Sequence, residues 1–592
     1  MAGEGFQPGV GYGAELIDLS VLAEGPFTGT PAALASVRVP HERVHSGPAG
    51  ARLDVRVRRP GRDEAEPIAL ALDGTAWGID DVRPPEDLEE LLGDSRFLAQ
   101  HVYAVASDTL QAFERTMGRR LGWAAGHRLR IEAYDSADFR ATGYDPQAQL
   151  IRFGHRADGR AQRHVPMALY RDLVAHEVTH AVLDGYRPRW ADANALLDGF
   201  ALHEAVADLV AMLSVFSSPD LVERLLETEA RARRARGPHD GVAHDGVAHD
   251  GGAQDDGASS GAAAGRGGPG ERGDEEILRS GLFGLADGLF SRGAVRRPLD
   301  RRVPYDWQLD PEPHARGEIV VQAVLNAVVN LWRQRLDCPG GRASRYQIAQ
   351  SGAKVGQQVM GMVVRALAYL PPVDPTWTDL LRAILASDLV MMPADAPPCP
   401  GSRRPGAPRP KGYREVIRDR FWDINVSTDP DTRLDGLDDL EGLRYPVRLS
   451  ALSSDPEEVN RFIWANPRLM RAMDLDEDTG LRVDRVRPTV RVGPDGFIVS
   501  EICASFVQEV LLTRREARDR LGLRILGDYA VVRGGGTLRF DEGGRLCFAA
   551  LKPVMDAQRQ QARAATARAE REQPARPVIG YHAVDERDGV PA

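Results

Sequence analysis

The chain is poor in cysteine, with only Cys338, Cys399, Cys503 and Cys547 among 592 residues and no CxxC pair. This wide spacing disfavours a cysteine zinc site and a dense disulfide framework, so a reducing compartment is the simpler interpretation. No apolar run reaches the roughly 18 residues of a membrane span. The first residues carry Glu4 where a signal peptide needs positive charge, and no apolar segment follows. The sequence therefore predicts a soluble, cytoplasmic protein, although secretion by another route stays open.

The chain also lacks a surplus of basic residues. Lys and Arg number 75 against 86 Asp and Glu, which gives a formal net charge of −11. Nucleic-acid binding requires a basic face, so we expect no nucleic-acid partner and, without a span, no membrane partner. The remaining composition, 43% hydrophobic and 27% charged, is that of an ordinary globular protein. Its length is sufficient for roughly two to four domains.

The first 185 residues change from strand to helix patterns. Residues 1–95 are predicted to be β-rich, with a strand at 51–59 and another at 67–72. Residues 96–185 are predicted to form a second unit, which begins with a helix over 96–121 and contains strands at 128–134 and 150–153. This unit ends in a helix from Pro166 to Asp184, with Pro166 in the first turn and Gly185 in a left-handed position past the end.

Residues 186–430 are predicted to be mainly helical. The first helix of this part runs from Gly199 to Phe216, with Asp198 as its N-cap. Further helices are expected at 317–336, 347–369, 377–387 and 413–421. Within this part, residues 231–275 consist mostly of Gly, Ala, Asp and Arg, which predicts a disordered insert. His239, His244 and His249 recur there every five residues, and we favour tandem duplication over metal capture as the reason.

Two more units complete the predicted organisation. Residues 446–555 form an additional small domain, with strand candidates around Val490, at 497–502 and at 529–548. Residues 556–592 are rich in Ala, Arg and Gln at their start, which predicts an exposed helix followed by a loose tail.

The segment His176-Glu177-Val178-Thr179-His180 carries the main chemical signal. Residues four apart share one face of a helix, so both imidazoles can reach a single ion. Zinc accepts neutral imidazole nitrogen at about 2.0–2.1 Å. Glu177 lies beside the first histidine, where its carboxylate can act as general base toward the attacking water. The alternative is a helix whose two histidines are core or surface groups, but the apolar surroundings favour a metal site.

The next apolar helix supplies the third ligand. Glu204 and Asp208 lie one turn apart in it, and a buried carboxylate pair is costly unless it is paired or bound to metal. Glu204 is therefore predicted as a zinc ligand, with Asp208 as acceptor for the far nitrogen of a ligand histidine. His203 is a competing ligand, which we rank below Glu204 because it would leave Glu204 unexplained.

HEVTHAVLDGY followed by HEAVAD resembles the thermolysin family of zinc metallopeptidases, the gluzincins with HExxH and ExxxD. The resemblance covers roughly residues 95–430, and it is strongest at the two motifs. It implies an α+β fold of two lobes, with a β-rich N-terminal lobe and a helical C-terminal lobe. To these lobes this chain adds a small α/β or β-rich C-terminal domain. It also implies a zinc-dependent endopeptidase with one catalytic Zn²⁺ ion. A structural Ca²⁺ ion is compatible with the sequence but not supported by it.

The resemblance implies a further catalytic residue, His314, which would donate a hydrogen bond to the oxyanion that forms as water attacks. Asp310 and Glu312 both remain candidates to orient His314. Tyr186 is available as a second donor, but its register does not match the family. An edge strand at 138–141 is expected to bind the substrate.

The chain departs from the family in having no recognisable leader, an insert and a domain after residue 446. Two alternatives therefore stay open. One is a catalytically silent module that binds a protein partner through the C-terminal domain. The other is a zinc hydrolase of one dedicated protein or small amide, whereas the main hypothesis takes peptides or proteins as substrates.

Overall fold

A computed structural model describes residues 16–23, 34–57 without 43 and 46, 66–68, 93–133, 142–158, 163–192, 195–226 without 225, 299, 303–336 without 305, 344–397, 409–428, 435–446 without 438, 449–492 and 498–572 without 526. These residues form a mixed α and β protein, about 50% helical, with several separate sheets. The predicted insert at 231–275 and the predicted edge strand at 138–141 lie outside the described residues.

The N-terminal part combines a long helix with short strands. β1 (Leu16–Leu22) and β2 (Leu34–Pro40) pair antiparallel against helix α1 (Ser95–Met117), whose N-terminus is capped by the Asp94 carboxylate. A four-stranded sheet has the order β3-β4-β6-β5, in which only β5 is antiparallel to its neighbour. Its strands are β3 (Leu53–Arg56), β4 (Leu129–Glu132), β5 (Gly143–Asp145) and β6 (Leu150–Arg152). A hairpin of β7 (His155–Asp158) and β8 (Arg163–Pro166) follows.

Helix α2 (Arg171–Tyr186) begins five residues later than the sequence predicts and ends two residues later. Pro166 is the last residue of β8, where it pairs with His155, so Pro166 does not start the helix. Gly185 lies inside the helix rather than past its end. A Cβ atom at Gly185 would meet the Gly122 carbonyl oxygen at 2.3 Å. The glycine is therefore required by close packing, not by a left-handed backbone.

Helix α3 (Leu197–Leu213) begins two residues before the predicted start, with Leu196 as its N-cap. Asp198 lies in the first turn and accepts from Arg316 instead of capping the helix. The stretch Leu197–Phe216 is long and apolar enough to cross a membrane, and an 18-residue window within it has a mean hydropathy of 1.5. However, 94% of that window is buried inside the protein. That burial is typical of a core helix, and the described residues contain no clear transmembrane segment.

Four further helices lie between residues 313 and 422. They are α4 (Pro313–Leu336), α5 (Arg345–Ala366), α6 (Trp377–Met391) and α7 (Tyr413–Trp422). α4 starts four residues before the predicted Gly317, which places His314 in its first turn rather than in a preceding loop. α3 packs directly against both α2 and α4. The helices that carry the predicted ligands are therefore neighbours in one continuous hydrophobic core.

The C-terminal part is an antiparallel sheet with helices. β9 (Arg482–Val492), β10 (Ile498–Thr513), β11 (Tyr529–Asp541) and β12 (Leu546–Lys552) pair in the order β12-β11-β10-β9. One face of the sheet covers α8 (Leu449–Ser454), α9 (Pro456–Trp464) and α10 (Pro467–Met473) through a second core. The opposite face contacts the main core through Cys503, Phe548 and Ala550. α11 (Arg514–Leu521) and α12 (Ala557–Glu572) pack at the far end of the sheet.

Candidate metal centre

The two motif histidines lie side by side in the middle of α2. His176 and His180 are completely buried, and their Nε2 atoms are 2.9 Å apart. The rings meet edge to face, with an interplanar angle of 85°. This arrangement follows from their spacing, because residues four apart on a helix lie one above the other on the same face.

Glu204 reaches the same point from α3. Its Oε2 atom is 3.6 Å from Nε2 of His176 and 3.5 Å from Nε2 of His180. Two ligand atoms that lie about 2.0–2.1 Å from one zinc ion at tetrahedral angles are separated by about 3.4 Å. The three donor atoms therefore have the spacing that a common ion requires, apart from the slightly short contact between the two imidazoles.

Asp208 and His203 orient the two imidazoles from behind. The Asp208 Oδ1 atom is 2.9 Å from Nδ1 of His176, and Nδ1 of His203 is 2.7 Å from Nδ1 of His180. The ring of His203 also stacks on that of His180. If each ligand histidine donates through its Nδ1–H, both Nε2 lone pairs face Glu204 Oε2. Three electron-rich atoms then converge on one point, where either a proton or a metal cation between them offsets their repulsion.

The contact between Asp208 and a predicted ligand histidine was expected from the sequence. The contact of His203 with the Nδ1 atom of His180 was not. His203 contacts the Nδ1 side of His180 and not the Nε2 side where Glu204 lies, so it is an orienting group and not a ligand. Its adjacency to Glu204 was the available signal, because neighbouring residues on a helix project about 100° apart and can flank the same partner.

The charges of the cluster favour a cation. Burial alone would lower the pKa of His176, but its contacts with Asp208 and Glu204 outweigh burial and raise the pKa to about 10. Burial opposes ionisation of Glu204, yet His314 and His180 hold its pKa well below the usual range. Burial, together with His180, lowers the pKa of His203 well below its normal value, so His203 is neutral. The acidic surroundings of His176 attract positive charge.

Glu177 lies next to the first histidine and is fully buried. Its carboxylate is close enough to His176 to contribute to the raised pKa of that residue. A buried carboxylate at this point is costly unless it meets a positive or hydrogen-bonding partner. Glu177 thus lies in the same buried region as the three donor atoms.

His314 is brought to the same cluster from a third element. Its Nε2 atom is 3.2 Å from Glu204 Oε2, although 110 positions separate the two residues in the sequence. The His314 side chain remains 27% exposed, whereas the ligand histidines are fully buried. His314 therefore lies where the buried cluster opens to solvent.

Glu312 orients His314. Its Oε1 atom is 2.6 Å from Nδ1 of His314, and its carboxylate also accepts from the backbone N–H groups of His314 and Ala315. Burial opposes this ionisation, but the His314 contacts lower the pKa of Glu312 to about 2. Asp310 accepts from the Glu312 backbone N–H and so supports the turn rather than the imidazole.

Tyr186 is placed away from these groups. Its ring lies at the C-terminal end of α2 between the guanidiniums of Arg119 and Arg187, with distances of 5.0 and 4.9 Å from the ring centre. It lines a cavity beside the C-terminal sheet. These contacts give no support to Tyr186 as a donor at the cluster.

The His176, His180 and Glu204 group could hold a metal ion, and its geometry does not show which metal. The buried imidazole and carboxylate donors are compatible with zinc. No protein-family model matches this chain, and no curated protein matches it.

Proposed function

We propose that this protein is a zinc-dependent endopeptidase of the thermolysin type. The observation that carries the proposal is the convergence of His176 Nε2, His180 Nε2 and Glu204 Oε2 within 4.8 Å of one another, with Glu177 buried beside them. A histidine pair on one helix and a glutamate from the next form the His₂Glu donor set of catalytic zinc sites, which leaves a position for water or substrate.

The proposed reaction uses three side chains of this protein around the reacting carbonyl. When bound, zinc supplies Lewis acidity toward the attacking water and the carbonyl oxygen. Glu177 accepts a proton from the water as its oxygen attacks the carbonyl carbon, and then delivers that proton to the leaving amine. His314 donates from Nε2 to the carbonyl oxygen as negative charge develops there. Glu312 accepts from the Nδ1–H of His314, so His314 must carry a hydrogen on both nitrogens, as an imidazolium, for Nε2 to donate. The carboxylates of Glu312 and Glu204 on its two sides favour that charge.

We also propose that the fold has two lobes. The strands before α2 would form the N-terminal lobe, and α3 to α7 would form the helical lobe, with the cleft above α2 and α3. A peptide or protein substrate would enter on the side where His314 is exposed. We also propose a cytoplasmic location and the cleavage of a restricted set of substrates.

The test combines metal analysis with a Glu177→Gln variant of the full chain. We expect about one zinc ion per chain in both proteins, because Glu177 is not a ligand. We expect cleavage of a peptide library by the wild type and a loss of about 10²–10⁴-fold in the variant, the usual contribution of a general base. Mass spectrometry of the peptide products gives both the rate and the cleaved bond.

Glu477→Gln is the matched control, since Glu477 is exposed and lies in the C-terminal part. It should change neither zinc content nor cleavage. Bound zinc without Glu177-dependent cleavage would replace the enzyme proposal with the silent binding module. Purified protein that takes up no zinc would overturn the metal site itself.

A further inference from the structure

A second buried site lies at the other end of α2. A cavity of about 160 Å³ lies between Arg187, just past the helix, and the β9 residues Asp484 and Arg485. A smaller recess of about 10 Å³, which also reaches Arg487, shares several of its walls. A cavity of about 10–15 Å³ already holds one water, so the larger space accepts an anion of several heavy atoms.

The walls of the two spaces carry a surplus of positive charge. Four arginines line them, against a single carboxylate, Asp484. That carboxylate already accepts from Arg189, and Nε of Arg482 lies 3.2 Å from it. Since Arg189 neutralises Asp484, the charges of Arg187, Arg485 and Arg487 remain.

No carboxylate other than Asp484 is among the described residues that line the two spaces. Within the described part of the chain, Arg485 and Arg487 form no salt bridge, and Nε of Arg487 is buried without a hydrogen-bond partner. Arg119 lies over the Tyr186 ring and adds another cation, with its Nε and Nη2 atoms likewise buried and unpaired among the described residues. The ring attracts the cations, but it is not a counter-ion.

The electrostatics of Arg487 agree with this geometry. Burial lowers its pKa, and the neighbouring guanidiniums of Arg119 and Arg485 lower it further, to about 10. The folded protein therefore disfavours the positive charge that it has gathered here. Such a cluster is stable at neutral pH when an anion shares it.

We propose that this cavity binds a small phosphate-type oxyanion, held by Arg187, Arg485 and Arg487. The planar fork of a guanidinium matches two oxygens of such an ion, and several forks around one cavity match its tetrahedral shape. Arg187 is already fixed for this role, because its Nε and Nη2 donate to the Leu367 carbonyl oxygen at 3.1 and 2.6 Å.

The bound anion would join two parts of the molecule. Arg187 follows the helix that carries His176 and His180, whereas Arg485 and Arg487 belong to β9 of the C-terminal sheet. Tyr186 is six residues past His180, a rise of about 9 Å along the helix. The site is thus separate from the metal centre, and an anion there would hold the C-terminal sheet against the end of α2.

The experiment titrates the full-length chain with inorganic phosphate, with sodium chloride at matched ionic strength as the nonspecific salt. Calorimetry and thermal unfolding are both measured. We expect saturable binding of one phosphate and a rise in the melting temperature that chloride does not reproduce. Arg485→Gln and Arg487→Gln should each weaken phosphate binding by about ten- to a hundredfold, as expected for the loss of one charge-assisted hydrogen bond.

Melting temperatures measured without phosphate distinguish an anion-binding site from a group of arginines that only stabilises the fold. Arg487→Gln removes a half-buried cation that its neighbours repel, so without phosphate its melting temperature should equal or exceed that of the wild type. The control is Arg515→Gln, whose side chain is 91% exposed; it should bind phosphate normally. Absence of saturable binding, or equal binding by the wild type and both cavity variants, would overturn the proposal. A lower anion-free melting temperature for Arg487→Gln would also contradict it. Zinc content and peptidase activity play no part in this readout.

Discussion

At the scale of single residues, the cluster depends on which nitrogen of each histidine faces inward. Asp208 and His203 engage the Nδ1 atoms of the ligand histidines, which leaves Nε2 to face Glu204. Glu312 does the same for His314. Each imidazole at the site thus has an orienting partner. Each partner can be substituted while the proposed metal ligands stay in place.

His314→Ala should lower kcat by about 10²–10³-fold, which is the usual cost of losing one oxyanion donor. Zinc content should remain that of the wild type, since the three donor atoms are untouched. Glu312→Gln should give a smaller loss, because the imidazole remains but is less well oriented. Steady-state kinetics on one cleaved peptide provides the measurement.

His127→Ala is the control for that series, because His127 is exposed in the segment before β4. An unchanged kcat in His314→Ala would remove His314 from the mechanism while leaving the metal centre intact.

Asp208→Asn should weaken zinc affinity by about 10–100-fold, as found when an outer carboxylate partner of a ligand histidine is lost. Competition with a chromogenic chelator measures this affinity directly. Asp220 is exposed, and Asp220→Asn should leave the affinity unchanged. Equal affinities in all three proteins would show that Asp208 does not support His176.

At the scale of elements, the site requires close contact between α3 and α4. α3 carries Glu204, and the first turn of α4 carries His314. A Cβ atom at Gly317 would lie 2.8 Å from the Ala201 carbonyl oxygen and 3.2 Å from the Ala205 backbone nitrogen. The glycine therefore sets the distance between the two helices, one turn away from His314.

Gly317→Ala should destabilise the protein, because overpacking costs about 1–3 kcal/mol and outweighs the 0.5–1 kcal/mol or so that alanine gains in a helix. kcat should fall as well, since α4 moves with His314. Urea unfolding and peptide cleavage measure the two effects.

Gly361→Ala in α5 is the matched control, because the nearest atom there is the tip of the Arg365 side chain, at 3.0 Å, and not backbone. It should be close to neutral in stability and in kcat. A stable, fully active Gly317→Ala variant would show that the helix spacing is not critical.

At the scale of the whole molecule, ion pairs connect the C-terminal part to the helical part. Asp374, in the segment between α5 and α6, meets Arg563 of α12 at 2.7 Å and also pairs with Arg559. Lys552 of β12 contacts Asp379 at the start of α6, at 2.5 Å. On β10, Glu501 pairs with two arginines of the sheet and accepts from Tyr369.

Asp374→Asn should lower the free energy of unfolding by about 3 kcal/mol or more, because it leaves two buried guanidiniums without their counter-charge. Asparagine tolerates the left-handed backbone at this position, where φ is 46°, so the change acts through charge. Urea denaturation of the full chain is the measurement.

Asp519→Asn provides the comparison, since its pair with Arg515 is exposed and such pairs contribute about 0–1 kcal/mol. Similar losses in the two variants would argue that the buried pair does not fasten the C-terminal part.

Much of the secondary structure was accessible from the sequence. The apolar periodicity placed α1, α2, α3 and the later helices close to their observed positions. The ends of the helices were harder to predict. Pro166 ends strand β8 instead of starting α2, and Gly185 permits a close contact with Gly122 instead of ending α2. The local preferences of proline and glycine indicate that an element ends nearby. Tertiary contacts decide to which element the residue belongs.

The sequence by itself determined the candidate ligands, because the spacing of His176 and His180 on a helix puts both imidazoles on one face whatever surrounds it. It also determined Glu204 and Asp208 as a pair one turn apart. The tertiary structure decided between Glu312 and Asp310, gave His203 its partner, and placed the arginines of β9 against the end of α2. Those relations join residues distant in the chain, and only the packing of separate elements fixes which side chains meet.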